Sequence, residues 1–116
     1  MTSESPSRLL VLWASGEKET ALNMVLMYTT NSKLHNWWEE VVLLVWGAAS
    51  RLAAEDPDVQ ACIVAARQAG VRVIACIACA RNLGVVEPLQ QQGIEVFPTG
   101  QFLSDWIKSG DKVLSV

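Results

Sequence analysis

The sequence predicts an α/β domain built on a mostly parallel sheet. Apolar segments and amphipathic segments alternate five times along the 116 residues, which is typical of strands joined by right-handed helical crossovers. Residues 68–73 and 91–96 resemble each other, and both combine a helix end, a glycine and a strand start. Because no linker interrupts the pattern, residues 8–116 are predicted to form one domain, and the polar residues 1–7 a flexible N-terminal tail.

The predicted strands are short, continuous apolar segments. They lack the polar–apolar alternation of a strand with one exposed face, so helices are expected on both faces of the sheet. Glycine-containing turns end the first two strands, which leaves open space beyond them. In chain order the predicted strands are residues 8–14, 41–46, 71–77, 94–97 and 112–116.

The predicted helices are bounded by capping residues and helix breakers. Asp56 and Pro57 are a favourable N-cap and a favourable first helical residue, and Thr99 is a candidate cap for the last helix. Gly84 and Pro88 divide the segment after the third strand into a short turn and a separate helix. The predicted helical segments are one that begins near Glu17 and frays near residues 31–36, followed by residues 48–55, 57–70, 79–83, 88–92 and 99–107.

Composition and charge narrow the classes of function. The net charge is −3 and the nine basic residues are scattered, so no binding surface for nucleic acid is expected. The longest apolar segments, residues 41–49 and 73–80, are too short to span a bilayer, and no membrane association is expected. Residues 1–7 lack the pattern of a signal peptide. Three cysteines without an export signal are typical of a cytoplasmic protein with reduced thiols.

A site is expected where the strands end. In open parallel sheets, ligands bind beyond the carboxyl ends of the strands, and in this chain that edge combines small residues, tryptophans and two cysteines. The predicted catalytic residues are Cys76 and Cys79. The candidate ligand-binding residues at the same edge are Trp13, Ser15, Gly16, Trp46, Gly47 and Asn82, with Pro98 and Thr99 beside them.

The two neighbouring cysteines carry the strongest chemical signal. A thiolate is the reactive form of cysteine, and a helix N-terminus lowers the pKa of a thiol. Because the turn after the third strand is predicted to begin at Cys79, local geometry favours Cys79 over Cys76. The alternative is that both are small buried residues of the core, which is the expectation for Cys62 in the third helix.

Other uses of these cysteines fit the sequence less well. A thioredoxin-type pair would follow an early strand and open a long helix, whereas Cys76 and Cys79 follow the third strand. A zinc site needs about four ligands, and His35 lies in a different polar segment, so no metal and no cofactor are expected. Trp37 and Trp38 begin the second strand beside a polar loop. An exposed aromatic ring there is typical of a subunit interface, so a homo-oligomer is expected.

Four segments together resemble the DsrE/DsrF-like family, which includes the sulfur-relay subunits of the Dsr and Tus systems. They are residues 10–16 (Leu-Val-Leu-Trp-Ala-Ser-Gly), 21–25, 37–41 and 76–85. The resemblance implies a three-layer α/β/α domain with a five-stranded parallel sheet, assembled into trimers or hexamers. In relay members a cysteine at the end of the third strand accepts and passes on a persulfide sulfur, and that position corresponds to Cys76.

The resemblance therefore implies a small persulfide carrier or sulfur-relay subunit, whose partners are a sulfur donor protein and a sulfur acceptor protein. It favours Cys76, whereas the predicted helix start favours Cys79, and both stay candidates. Two other functions stay open. One is a non-catalytic oligomeric module that binds a ligand, and the other is a redox switch in which the two thiols form a disulfide.

Overall fold

A five-stranded parallel sheet forms the centre of the domain. The computed structural model describes residues 7–116, so the predicted N-terminal tail, apart from Ser7, lies outside the described residues. The strands are β1 Arg8–Trp13, β2 Glu40–Val45, β3 Arg72–Cys76, β4 Glu95–Phe97 and β5 Lys112–Ser115. Their order in the sheet is β4-β3-β2-β1-β5, and every neighbouring pair is parallel. The predicted α/β fold with a parallel sheet is confirmed.

Helices cover the two faces of this sheet unequally. They are α1 Lys18–Thr20, a π-helical segment Ala21–Val25, α2 Leu26–Leu34, α3 Ala49–Glu55, α4 Pro57–Gln68, α5 Ile77–Leu83, α6 Val86–Gln91 and α7 Gly100–Lys108. The strands from β1 to β4 follow one another in one direction, so right-handed crossovers place α1 to α6 on a single face. The connection from β4 back to β5 runs the other way and places α7 on the opposite face. None of these helices, all within residues 7–116, is long and apolar enough to cross a membrane.

The core consists of two apolar clusters, one on each face of the sheet. The larger cluster lies under α1 to α6 and contains alternate residues of β1, namely Leu9, Val11 and Trp13. Because successive residues of a strand point to opposite faces, the continuous apolar strands fill both clusters. The smaller cluster lies under α7 and consists of Leu10, Val42, Leu44, Ile74 and Trp106.

Helix α7 is attached to the sheet mainly through Trp106. The indole is 3% exposed, and its Nε1 donates a hydrogen bond to the carbonyl of Lys112 at 3.0 Å. The guanidinium of Arg8 lies 4.0 Å from the centre of the indole ring, which adds a cation–π contact. Phe102 stacks on the same indole with ring centres 6.0 Å apart. This side chain therefore attaches the C-terminal part of α7 to the amino edge of the sheet, where β1 and β5 begin.

The helix that begins after Asp56 is confirmed, together with its cap. The Asp56 carboxylate accepts hydrogen bonds from the backbone N–H of Asp58 at 2.9 Å and of Val59 at 3.1 Å, and Lys18 lies 3.1 Å from it. These N–H bonds and the ammonium of Lys18 hold the pKa of Asp56 below its ordinary value, despite the opposing effect of burial. Thr99 occupies the N-cap position of α7 as predicted, but its side chain makes no capping hydrogen bond.

The prediction for the segment after β3 is wrong in one important respect. Helix α5 begins at Ile77, directly after the strand, and Cys76 is its N-cap, whereas the predicted turn began at Cys79. No glycine or proline separates strand from helix here, and one extended residue, with φ −75° and ψ 121°, suffices for the change of direction. The next helix begins at Val86, not at Pro88. A proline is tolerated there because the N–H groups of a first turn have no partner within the helix.

Replacement of Trp106 tests the attachment of α7. We expect Trp106→Ala to lower the free energy of unfolding by about 3–5 kcal/mol, since it removes a large buried side chain. Ile107 is the matched control, because the adjacent side chain is 57% exposed; Ile107→Ala is expected to change the free energy by less than about 0.5 kcal/mol. Urea titration followed by circular dichroism measures both. Equal losses of unfolding free energy in Trp106→Ala and Ile107→Ala would contradict the attachment of α7 through Trp106.

Candidate functional site

The carboxyl edge of the sheet brings two cysteines and a threonine together. Cys76 is the last residue of β3, Cys79 lies in the first turn of α5, and Thr99 directly precedes α7. By the alternation of β3, Cys76 shares the face of Ile74, which packs under α7. Two of the helices that start at this edge, α5 and α7, therefore begin beside Cys76.

Hydrogen-bond donors surround the Cys76 sulfur. Burial is the largest single influence on this thiol and raises its pKa. The backbone N–H of Cys79, the side chain of Thr99, and the backbone N–H groups of Ala78 and Thr99 act in the opposite direction. Together they outweigh burial, so the pKa of Cys76 lies below its ordinary value. The favourable helix start that was predicted at Cys79 is thus found at Cys76.

The hydroxyl of Thr99 is fully buried and makes no ordinary hydrogen bond within the described part of the chain. The group that it faces is the Cys76 sulfur. A neutral thiol is a weak acceptor, and a thiolate is a strong one. Because an unmade hydrogen bond is costly in the interior, this hydroxyl favours the anionic form of Cys76.

Cys79 faces a different part of the edge, the loop after β2. Its sulfur donates to the carbonyl of Gly47 at 3.4 Å and lies 3.7 Å from the hydroxyl of Ser50. Gly47 has a φ of +58°, a conformation that favours glycine and that gives its carbonyl this direction. Both contacts involve sulfur and are weak hydrogen bonds.

The two thiols also differ in access. Cys76 is 4% exposed, whereas Cys79 is partly exposed. Cys62 on α4 is partly exposed as well, and it packs against the larger cluster, in agreement with the core position predicted for it. All three cysteines are free. A reagent that reaches Cys76 must therefore be narrow, while Cys79 admits a larger one.

The predicted ligand-binding residues after β1 serve to shape the loop. Trp13 is fully buried, and its indole N–H donates to the carbonyl of Ser15 at 3.0 Å. The Ser15 hydroxyl accepts a hydrogen bond from the backbone N–H of Glu17 at 3.3 Å. A Cβ on Gly16 would lie 2.8 Å from the Cβ of Ala48, so glycine lets the two loops approach. A direct role of these residues in ligand binding stays a prediction.

The other candidates lie around the same edge. Trp46 is partly buried against the smaller cluster, and its backbone N–H donates to the carbonyl of Trp13 at 3.0 Å. Asn82 is exposed on α5, as is Pro98 after β4. The sequence predicted Thr99 both as a helix cap and among the residues at this edge, but not its proximity to Cys76, and Ser50 was missed. The relation of either side chain to a cysteine depends on which loops lie side by side, and no local pattern reports that.

A cavity of about 440 Å³ opens beside the two loops that Gly16 and Ala48 bring together. Neither Cys76 nor Cys79 lines it. Its lining combines apolar side chains with one arginine and two carboxylates: Gly16, Ala48, Arg51, Leu52, Glu55, Asp56, Pro57 and Leu83. Across residues 7–116, no three His, Cys, Asp or Glu side chains lie close enough together to hold a metal ion.

The tryptophan pair before β2 is divided between surface and interior. Trp37 is 56% exposed and stacks on His35 with ring centres 5.2 Å apart. Trp38 is partly buried, and its Nε1 donates to the hydroxyl of Tyr28 at 3.2 Å. The prediction that at least one of the two rings is exposed is confirmed, while the homo-oligomer stays a prediction.

Comparisons with known proteins agree on one family. A model of the DsrE/DsrF-like family matches residues 10–116. A conserved protein of unknown function from Bacteroides thetaiotaomicron, BT1422, is 37% identical with a TM-score of 0.92, and the match covers 95% of each chain. No curated protein sequence matches the chain significantly.

Two more distant solved structures share the fold. MTH1491 from Methanobacterium thermoautotrophicum, also of unknown function, is 15% identical with a TM-score of 0.78, and the match covers 95% of this chain and 99% of that one. The ychN protein from E. coli is 18% identical with a TM-score of 0.66, and the match covers 97% and 100%. At these identities the likeness concerns the fold alone.

Removal of the Thr99 hydroxyl tests its effect on Cys76. We expect Thr99→Val to raise the pKa of Cys76, because a donor to the thiolate is lost while the shape of the side chain is kept. At neutral pH the thiolate fraction then falls, and alkylation of Cys76 by iodoacetamide slows several-fold. The measurement is the alkylation rate against pH, followed by peptide mass spectrometry. Thr99→Ser keeps the hydroxyl and is expected to follow the wild-type profile; a profile like that of Thr99→Val would point to packing as the cause.

Proposed function

The chain belongs to the DsrE/DsrF-like family, and we propose that it carries sulfane sulfur as a persulfide on Cys76. The observation that supports this most directly is the position of Cys76: it ends β3, directly precedes the first N–H groups of α5 and lies beside Thr99, and these donors lower the pKa of its thiol. The thiolate is the nucleophile in thiol chemistry, and these donors favour the thiolate form of Cys76 at the end of β3. That is the strand end where relay members of the family carry their sulfur-accepting cysteine.

The loading step is a displacement at sulfur. The Cys76 thiolate attacks the terminal sulfur of a donor persulfide, R–S–SH. A new S–S bond forms to Cys76, the S–S bond of the donor breaks, and its electron pair leaves with the thiolate R–S⁻. The product is Cys76–S–SH, and unloading to an acceptor thiol is the same displacement in reverse. Neither step needs an oxidant or a reductant.

The limited access to Cys76 is compatible with such a donor. Cys76 is 4% exposed, and the reacting end of a persulfide is a single sulfur atom. We propose donor and acceptor proteins in the cytoplasm as the natural partners, and a homo-oligomer as the working form. The exposed ring of Trp37 supports a subunit contact, because exposed aromatic side chains are enriched at interfaces.

A second candidate function is a ligand-binding module without covalent chemistry. The cavity of about 440 Å³ beside Gly16 favours it, since its volume suits a small molecule and neither cysteine of the edge lines it. The two functions differ in a measurable way, because only the carrier function depends on Cys76.

Persulfide loading tests the carrier function. Glutathione persulfide is the donor, and Cys79→Ser is the acceptor protein, so that Cys76 is the one thiol left at the edge. Trypsin separates residues 73–81, which contain Cys76, from residues 52–67, which contain Cys62. We expect residues 73–81 to gain about 32 Da, one sulfur atom, in Cys79→Ser and in a Cys62→Ser/Cys79→Ser variant.

Replacement of Cys76 provides the contrast. In Cys76→Ser/Cys79→Ser we expect no added sulfur on residues 73–81, and in Cys76→Ser at most a slow, minor addition at Cys79. If Cys76→Ser and Cys79→Ser take up equal amounts of sulfur, Cys76 has no special role in loading. If Cys79→Ser takes up no sulfur although its circular dichroism spectrum is unchanged, the carrier function is wrong.

A further inference from the structure

Cys76 and Cys79 lie one helical turn apart at the start of α5. Ile77 and Ala78 between them are helical, and helical geometry puts residues three apart at a Cα–Cα distance of about 5 Å. Disulfides form at Cα–Cα distances of about 4.4–6.8 Å. The backbone of the two cysteines therefore already has the spacing of a disulfide.

The side chains need only a local change to meet. Cys76 occupies the N-cap position of α5, so its side chain lies beside the first helical turn, which contains Cys79. A helical side chain leans toward the N-terminus of its helix, which for Cys79 is the direction of Cys76. In the present state the Cys79 sulfur is turned to the carbonyl of Gly47 and the hydroxyl of Ser50, at 3.4 and 3.7 Å. Both contacts are weak, so rotation of the Cys79 side chain away from them costs little free energy.

We propose that Cys79 resolves the persulfide on Cys76, releasing the sulfane sulfur as hydrosulfide and closing a Cys76–Cys79 disulfide. This inference rests on the proposed loading of Cys76. It adds an activity to the carrier: the chain reduces the sulfur that it accepts. Before loading, the Cys79 sulfur contacts Gly47 and Ser50.

The resolving step balances without an external oxidant. Cys79 loses its proton to solvent, and its thiolate attacks the inner sulfur, the Sγ of Cys76. The bond between Cys76 and the terminal sulfur breaks, and its electron pair leaves with that sulfur as HS⁻. The sulfane sulfur is reduced by two electrons while the two thiols are oxidised to a disulfide. A dithiol, such as dithiothreitol in the test tube, restores the reduced pair.

The position of Cys79 favours attack on the inner sulfur over the outer one. The Cα atoms of the two cysteines have the spacing of a disulfide, and in a Cys76 persulfide the inner sulfur is the one attached to that backbone. The inner sulfur is therefore the atom that Cys79 reaches by rotation of its own side chain. Attack on the outer sulfur would move the persulfide to Cys79, release no hydrosulfide and leave the added mass in place.

The test follows three products after one equivalent of glutathione persulfide is added without oxygen. In the wild-type chain we expect hydrosulfide release close to one equivalent, and residues 73–81 lighter by about 2 Da, as for a disulfide. Dithiothreitol is expected to restore their mass. In Cys79→Ser we expect the added sulfur to remain and no hydrosulfide above the level of Cys76→Ser. Cys62→Ser is the matched control and is expected to behave as the wild type.

The outcomes separate this inference from the function on which it rests. If Cys79→Ser holds the sulfur and the wild-type chain holds it equally long, with no disulfide, then Cys79 is not a resolving thiol and the carrier function stands. If Cys79→Ser takes up no sulfur, the carrier function fails first. Ser50→Ala is a second probe that keeps both thiols. It removes one of the contacts that turn Cys79 away, so faster hydrosulfide release is expected, and a slower release would overturn the role given to that contact.

Discussion

The position of Cys76 beside the first N–H groups of α5 and beside Thr99 depends on α5 beginning directly after β3 ends. A strand that ran one residue further would turn the next side chain to the other face of the sheet, away from α7 and Thr99. A loop between strand and helix would remove the sulfur from the first N–H groups of α5. The direct junction at Cys76 thus lets one residue end a strand, occupy the N-cap position of a helix and meet a second helix. It also places Cys79 one turn later, within the distance of a disulfide.

The two faces of the sheet contribute differently to this arrangement. The loop after β2 lies on the same side as α3 and holds Cys79 through Gly47 and Ser50. Helix α7, alone on the opposite face among the described helices, brings Thr99 to Cys76. The thiol of Cys76 therefore lies on the α7 side of β3, and the thiol of Cys79 lies on the α3 side. The start of α5 joins them.

The sequence predicts those parts of the structure that local chemistry decides. The continuous apolar strands and the Asp56 cap were predictable, because hydrophobic patterning and capping act over a few residues. The start of α5 was placed two residues late, since no breaker marks a strand that passes directly into a helix. Cys76 and Cys79 were identified as a pair, but the preference for Cys79 followed from that misplaced start. The meeting of Thr99 with Cys76 joins residues far apart in the chain, and sequence patterns carry no signal for such contacts.

The small cluster under α7 has a further consequence for the buried thiol. Few apolar side chains hold this helix, so its detachment costs less free energy than unfolding of the whole domain. Detachment would open a path to Cys76 and take away Thr99, whereas the N–H groups of Ala78 and Cys79 belong to α5 and would keep their positions. Burial, which raises the pKa of this thiol, would end with the same motion. Opening of α7 would therefore exchange threonine for water beside Cys76 and admit reagents that are too large for the closed form.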